Sequence, residues 1–328
     1  MDYTTLGASG VKVSRLCMGT MTFGREANEQ TSARMFHRCR EAGINFFDCA
    51  NIYAGGRAEE ILGGLIKDCR SDLVITSKVG QPVGEAAGER GLSRRHIMQQ
   101  VETSLKRMGT EWLDVYFCHC FDQAVPLDET LRALDDLVRQ GKVRAVGVSN
   151  WPAWRIARAL GVSERLGIAS VSVMQPMYNL AKRTAEVELL PLAQAEGMGV
   201  ISYSPLGGGL LTGRYSREKK DAAGRLSTHK LYIARYAAGQ NYEIAERFTA
   251  YATRMGIHPV TLAIAWVKAN PAIAAPIIGA RSLEQLEPAL AAADYRMPPA
   301  QWDEIAALTP PVPVATDRDE ERAEVARS

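Results

Sequence analysis

A carboxylate, a phenol, an amine and an imidazole fall at or just beyond the carboxyl ends of three apolar runs. Asp48 and Tyr53 lie in FFDCANIYAGG, Lys78 in LVITSKVG and His119 in LDVYFCHCFD. If those runs are strands of one barrel, the four side chains share the rim where barrel active sites lie. A free phenol has a pKa of roughly 10 and gives up its proton reluctantly. An ammonium such as Lys78 beside it favours the phenolate and strengthens Tyr53 as an acid. A carboxylate such as Asp48 keeps that ammonium charged and aimed. The imidazole of His119 can hydrogen-bond and orient a substrate oxygen. The set suits proton delivery to the alkoxide that hydride transfer to a carbonyl creates. It does not suit hydrolysis or metal binding. Taken singly, each residue has a plainer reading: Asp48 as a turn or cap, Tyr53 as a packed ring, Lys78 as a solvated charge, His119 at the core edge. Their shared placement carries the argument.

The elements that must position them alternate along the chain. Residues 16–19, 45–48, 73–77, 113–118, 143–149, 170–175, 199–203 and 274–278 read as short buried parallel strands. Between and after them, residues 29–42, 58–67, 93–108, 127–140, 152–160, 187–196, 242–255, 259–269, 282–291 and 299–308 read as helices. The stretch 127–140 shows the period well, with Leu127, Leu131, Leu134, Leu137 and Val138 on one face and Gly141 as a stop. Eight strand–helix units predict an α/β fold, a (β/α)8 TIM barrel, with an N-terminal β-hairpin around Ala-Ser-Gly and extra helices near the C-terminus. A doubly wound Rossmann sheet also alternates, but GxGxxG is missing after the first strand, where Gly19-Thr20-Met21-Thr22-Phe23-Gly24 stands instead. One barrel domain is expected over residues 1–314. The polar, basic segment 212–240 reads as a loop over the barrel mouth, and the charged residues 315–328 as a flexible tail.

Composition narrows the partners. Lysine plus arginine number 39 against 37 acidic residues, a net +2 that argues for neither nucleic acid nor an anionic membrane. MDYTTLGASG predicts no secretory leader, and no run of apolar residues suits a membrane span. The cysteines (Cys17, Cys39, Cys49, Cys69, Cys118, Cys120) show no CxxC pairing, so reduced thiols in a cytoplasmic protein are expected. Cys118-His119-Cys120 lacks a second ligand pair, so no metal is expected. An oligomer is compatible with the sequence.

These motifs together resemble the aldo-keto reductase superfamily across nearly the whole chain. DCANIYAGGRAEEILG is similar to the segment holding that family's aspartate and tyrosine, SKVG to its lysine and LDVYFCHCFD to its histidine. GKVRAVGVSNW and ISYSPLGGGLLTGRY resemble its fifth- and seventh-strand signatures, and PIIGARSLEQ its adenosine-end motif. The resemblance implies that Tyr53 is general acid and base, Lys78 and Asp48 tune it, and His119 positions a small-molecule carbonyl substrate. It also implies a nicotinamide cofactor lying across the rim. Ser149, Asn150 and Gln175 would hold the carboxamide and Tyr203 would stack on the ring, with Gly19, Thr20 and Met21 alongside. Ser204, Pro205, Leu206 and Gly207 would form the pyrophosphate loop, followed by Arg214 and Arg225. Gly279, Arg281 and Gln285 would flank the adenosine, where a guanidinium before a helix start favours a 2′-phosphate and hence NADPH over NADH. Phe23 and Trp151, with Tyr53 and His119, are candidates to line the substrate pocket.

The chain departs from the family pattern at three places. Cys49 stands for threonine, Ala54 for the usual glycine, and Pro288-Ala289 for the usual adenine contacts Glu-Asn. Three functions follow as expectations: an NADPH-dependent carbonyl reductase, a nicotinamide-binding sensor or auxiliary subunit like potassium-channel β subunits, and the same site oxidising a sugar or polyol.

Overall fold

The computed structural model describes residues 1–86, 88–218, 221–222 and 224–316. Two strands, β1 (Tyr3–Thr5) and β2 (Lys12–Ser14), pair antiparallel as a hairpin. Eight more close a parallel barrel in sequence order: β3 (Cys17–Gly19), β4 (Phe46–Asp48), β5 (Val74–Val79), β6 (Leu113–Cys118), β7 (Val143–Ser149), β8 (Val171–Gln175), β9 (Gly199–Ser202) and β10 (Ala275–Ile278). Around and beyond it lie α1 (Glu29–Glu41), α2 (Arg57–Ile66), α3 (Arg94–Met108), α4 (Leu127–Arg139), α5 (Ala153–Leu166) and α6 (Leu189–Ala195). The chain then adds α7 (Arg225–Thr228), α8 (Lys230–Tyr236), α9 (Gly239–Arg254), α10 (Pro259–Ala269), α11 (Leu283–Leu290) and α12 (Pro299–Ala306). The expected TIM barrel with its hairpin is the observed fold.

Local rules account for the helix ends. Ser93 caps α3 by accepting from the His96 amide, and Gly109 ends it in the left-handed region at φ 59°. On α4, Leu131, Leu134 and Leu137 are buried as the period predicts. Along β5 the side chains alternate between faces. Ile75 and Val79 join the core between barrel and helices, whereas Val74 joins Cys17, Phe46, Val115, Phe117, Ala145, Val173, Ile201 and Ala275 inside the barrel. Leu6 of the hairpin turn and Val13 complete that inner core from below. A Cβ on Gly199 would come 2.7 Å from the Leu6 side chain, so the hairpin plugs the amino end of the barrel tightly. The barrel is apolar at its plugged end and polar at the other.

Three expectations change. Lys78 lies within β5, paired in register with Phe117, rather than just past a strand ending at 77. Helix α5 runs on to Leu166, because Gly167 at φ 61° and not Leu160 provides the stop. The segment 212–240 is not simply a loop: it holds α7 and α8, whose Leu226, Tyr232 and Tyr236 pack with Leu210, Tyr215 and Tyr242 in a satellite core. The tail expected to be flexible lies, from residue 317 onward, outside the described residues. Among the described residues no helix is long and apolar enough to cross a membrane.

Candidate active site

The inward-facing positions of β4 and β5 above the apolar layer are Asp48, Thr76 and Lys78. Asp48 and Lys78 are almost wholly buried, at 2% and 0% exposure. Lys78 Nζ donates to Asp48 Oδ2 at 2.6 Å, to the Cys49 carbonyl at 2.6 Å and to Tyr53 Oη at 3.3 Å. An ammonium has three protons, and all three are engaged. The phenol therefore accepts from Lys78, and its own O–H is left for the cleft that Tyr53 lines.

The other carboxylate oxygen of Asp48 accepts from Thr76 Oγ1 and Gln175 Nε2, each at 2.8 Å. Gln175 thus joins Asp48 to a second string of contacts. Its backbone carbonyl accepts from Ser149 Oγ at 2.9 Å, and Ser149 Oγ accepts from Asn150 Nδ2 at 3.1 Å. Asn150 Nδ2 also reaches the His119 carbonyl at 2.9 Å, while Tyr203 Oη donates to Asn150 Oδ1 at 2.7 Å. Asn150 and Ser204 adopt positive φ, 59° and 58°, a strained choice for non-glycine residues and one that clusters at functional sites.

Electrostatics sort the four groups. Burial opposes the Lys78 charge, yet Asp48 and Tyr53 outweigh it and hold the ammonium above its usual range. Burial pushes the Tyr53 phenol up to about 12, against the pull of Lys78. The sequence-based expectation of a net stronger acid is therefore corrected: Lys78 lowers this pKa, but desolvation contributes more. Burial and the Lys78 charge lower His119 to about 3, so its imidazole is neutral. Its buried Nδ1 finds no hydrogen-bond partner among the described residues. An orphaned buried N–H is rarer than an orphaned lone pair, which assigns the proton to Nε2. The His119 and Tyr53 rings stand edge to face with centroids 6.2 Å apart.

Above this floor lies a cleft of about 1050 Å³. Most residues expected at the site line it: Gly19, Met21, Asp48, Tyr53, His119, Ser149, Asn150, Gln175 and Tyr203, then Ser204, Pro205, Leu206, Arg214, Arg225, Gly279, Arg281 and Gln285. Others stand elsewhere. Lys78 lies beneath the floor. Thr20 is buried and ties the Asp48 carbonyl through its amide at 2.9 Å and its hydroxyl at 3.0 Å. Gly207 is buried, Phe23 is a core residue at 0% exposure, and Trp151 at 4% packs under the Arg155 guanidinium. Neither aromatic is among the cleft-lining residues. Arg25, Arg235 and His229 also line it, unforeseen from the sequence; the signal for His229 and Arg235 is the basic run RYSREKKDAAGRLSTHK and the residues after it, and for Arg25 its place in the loop after the first barrel strand.

The donor set suits an elongated anion. Five guanidinium groups, those of Arg25, Arg214, Arg225, Arg235 and Arg281, line the cleft with three carboxylates, Asp48, Asp221 and Glu284. Arg214 pairs with Asp221 at 3.7 Å and Arg225 with Glu26 at 3.4 Å. A Cβ at Gly279 would find open space within 4 Å. Ser282 caps α11, placing a helix N-terminus beside Arg281. At the far end Pro288 lines the cleft without a polar side chain, Ala289 is buried, and Glu287 pairs outward with Arg38 at 2.7 Å. These residues fit a nicotinamide dinucleotide, and the Pro288 end of the cleft offers fewer polar side chains than the rest.

Fold and site define a (β/α)8 barrel whose polar cluster sits at the carboxyl ends of its strands. The chain belongs to the aldo/keto reductase family, whose model it matches over residues 15–310. It is 36% identical, over 97% of its length and 99% of the relative's, to a probable voltage-gated potassium channel subunit beta of Oryza sativa subsp. japonica. A protein of Arabidopsis thaliana with the same description is 36% identical over 90% of this chain and 92% of its own. The uncharacterized oxidoreductase YrpG of Bacillus subtilis (strain 168) is 37% identical over the same shares of the two chains.

Proposed function

We propose that the protein is an NADPH-dependent oxidoreductase that reduces an aldehyde or ketone to an alcohol. The observation that carries this reading is the engagement of all three Lys78 protons, one of them on the phenol oxygen, which leaves Tyr53 a donor into the cleft. With its pKa raised, Tyr53 stays protonated at neutral pH and holds the proton the reaction consumes. Neutral His119 donates from Nε2 to the substrate oxygen and fixes its direction. As Tyr53 Oη passes its proton to that oxygen, Lys78 stabilises the phenolate, and Asp48 keeps Lys78 charged. Ser149, Asn150 and Gln175 would hold the carboxamide, Tyr203 the ring face, residues 204–206 with Arg214 and Arg225 the pyrophosphate, and Arg281 a 2′-phosphate. When bound there, the dinucleotide supplies the hydride. Six unpaired cysteines favour a reducing compartment such as the cytoplasm.

The test is oxidation of NADPH with an activated aldehyde such as 4-nitrobenzaldehyde, with NADH run alongside. Tyr53→Phe is expected to lose roughly 10²- to 10⁴-fold in turnover while still binding NADPH. Equal rates for the two proteins would remove the assigned acid. The names of the plant relatives favour a second reading, a nicotinamide-binding auxiliary subunit with slow turnover and a stable protein partner. Brisk turnover of protein that captures no partner would overturn it.

A further inference from the structure

We infer that Arg107, locked by the buried carboxylate of Glu59, is a positioning residue for Tyr53. The inference rests on the reading of Tyr53 as the acid. The segment that carries the phenol is irregular: Ala54, Gly55 and Gly56 follow it with φ of 49°, 65° and 101°. Three successive left-handed residues form no regular ladder, so something outside the segment must fix where Tyr53 Oη falls. Helices α2 and α3 supply it. A Cβ on Gly63 of α2 would lie 2.6 Å from Met108 Cα, so the two helices touch backbone to backbone there. One turn before Gly63, Glu59 faces Arg107.

Glu59 is 0% exposed. Its Oε1 accepts from Ser77 Oγ at 2.6 Å, on the strand residue next to Lys78. Its Oε2 accepts from Arg107 Nη1 at 3.0 Å, and the same nitrogen donates to the Asn51 carbonyl at 3.1 Å. The guanidinium also covers Gly56, where a Cβ would fall 2.3 Å from Arg107 Cζ. One planar group thus holds both ends of the Asn51–Gly56 segment. Asn51 is tied a second time, its Nδ2 donating to Gln100 Oε1 at 2.9 Å, and Gln100 lies seven residues before Arg107 on the same face of α3. Apolar side chains could fill this space without the desolvation that a buried ion pair carries. They could not link Ser77, beside Lys78, to the carbonyl two residues before Tyr53. The strut sets the 3.3 Å separation of phenol and ammonium from behind.

The experiment compares wild type, Tyr53→Phe, Arg107→Met, Arg107→Lys and Arg70→Met, measuring kcat, KM and NADPH affinity by fluorescence. Arg70 is a control of like chemistry: it ties Asp114 at 2.8 Å at the plugged end of the barrel. Displacing a reacting group by about 1 Å costs up to roughly 10²-fold. Arg107→Met is therefore expected to lower kcat roughly 10- to 100-fold with NADPH affinity within about twofold. Arg107→Lys should recover part of that, since one ammonium can still bridge Glu59 and the carbonyl. Arg70→Met should lower the melting temperature but keep kcat within about twofold. Full kcat in Arg107→Met would overturn the inference, as would a parallel loss in Arg70→Met. If Tyr53→Phe is as fast as wild type, the assigned acid fails separately. Amide hydrogen exchange over residues 52–56 then judges the strut: faster exchange in Arg107→Met supports it, and unchanged exchange overturns it.

Discussion

Two lysines are buried at opposite ends of the barrel, and their proton affinities move in opposite directions. Lys78, at the open end, has a carboxylate oxygen 2.6 Å away and holds its proton more tightly than a free lysine. Lys268, at the plugged end, donates to the carbonyls of Ala292 at 2.5 Å and Ala293 at 2.7 Å. Burial lowers it to about 8, helped by the charges of Arg296 and Arg15, with Asp2 and Asp294 opposing only partly. Lys78 is the more deeply buried of the two, yet its shift is upward. Depth alone does not decide the charge of a buried amine; the nearest full charge does. Carbonyl dipoles at Lys268 tether a chain crossing, whereas the carboxylate at Lys78 secures a permanent cation beside a phenol.

The largest test removes the first lysine. Lys78→Met leaves Asp48 buried without its counter-charge, which costs about 3–5 kcal/mol where such pairs are broken. Turnover should fall by roughly 10²-fold or more, read as NADPH oxidation, with the melting temperature lowered too. A variant that keeps both would mean that the cation at the open end has no special role.

The second lysine is tested by pH. Its folded-state pKa lies near 8 against 10.5 for a free lysine. Below 8 both states are charged and the folded form carries the full burial cost. Between 8 and 10.5 the unfolded chain binds the proton and the folded one does not, so stability rises with pH through that window. From pH 7 to pH 9.5 the unfolding free energies from urea titrations should move in favour of wild type over Lys268→Met by on the order of 1–3 kcal/mol. A constant gap would show that Lys268 titrates as it does in water.

The smallest effect concerns backbone. The positive-φ non-glycine residues among those described, Ala54, Asn150 and Ser204, all lie at the Lys78 end. Ala54→Gly relieves a left-handed alanine and should stabilise the fold by about 0.5–1 kcal/mol in chemical denaturation. A loss of stability instead would locate no strain there.

The sequence made the barrel readable because parallel strands buried on both faces appear as short apolar runs. β6 and β7 match their expected bounds residue for residue. Local pattern puts Lys78 beyond β5, because a charge normally ends such a run; its partner Asp48 sits on the neighbouring strand, out of that pattern's reach. The helices α7 and α8 stayed hidden because their polar, basic segment buries only a few rings, against a small separate core. Phe23 and Trp151 look like pocket aromatics from their place after strand ends, but a loop residue can turn inward as easily as outward. Arg107 and Lys268 look like helix-end cations facing solvent. Only packing of one helix on another buries Gln100 and Ser104 and leaves Arg107 half-buried on the same face.

The hairpin that fills the amino end has a consequence for traffic. With Leu6 seated against Gly199 the amino end of the barrel is filled, and the cleft that Tyr53 lines lies at the other end. The phenol is therefore approached from the open face, which α8 and the loop after β9 border through Tyr232, Arg235 and residues 204–206.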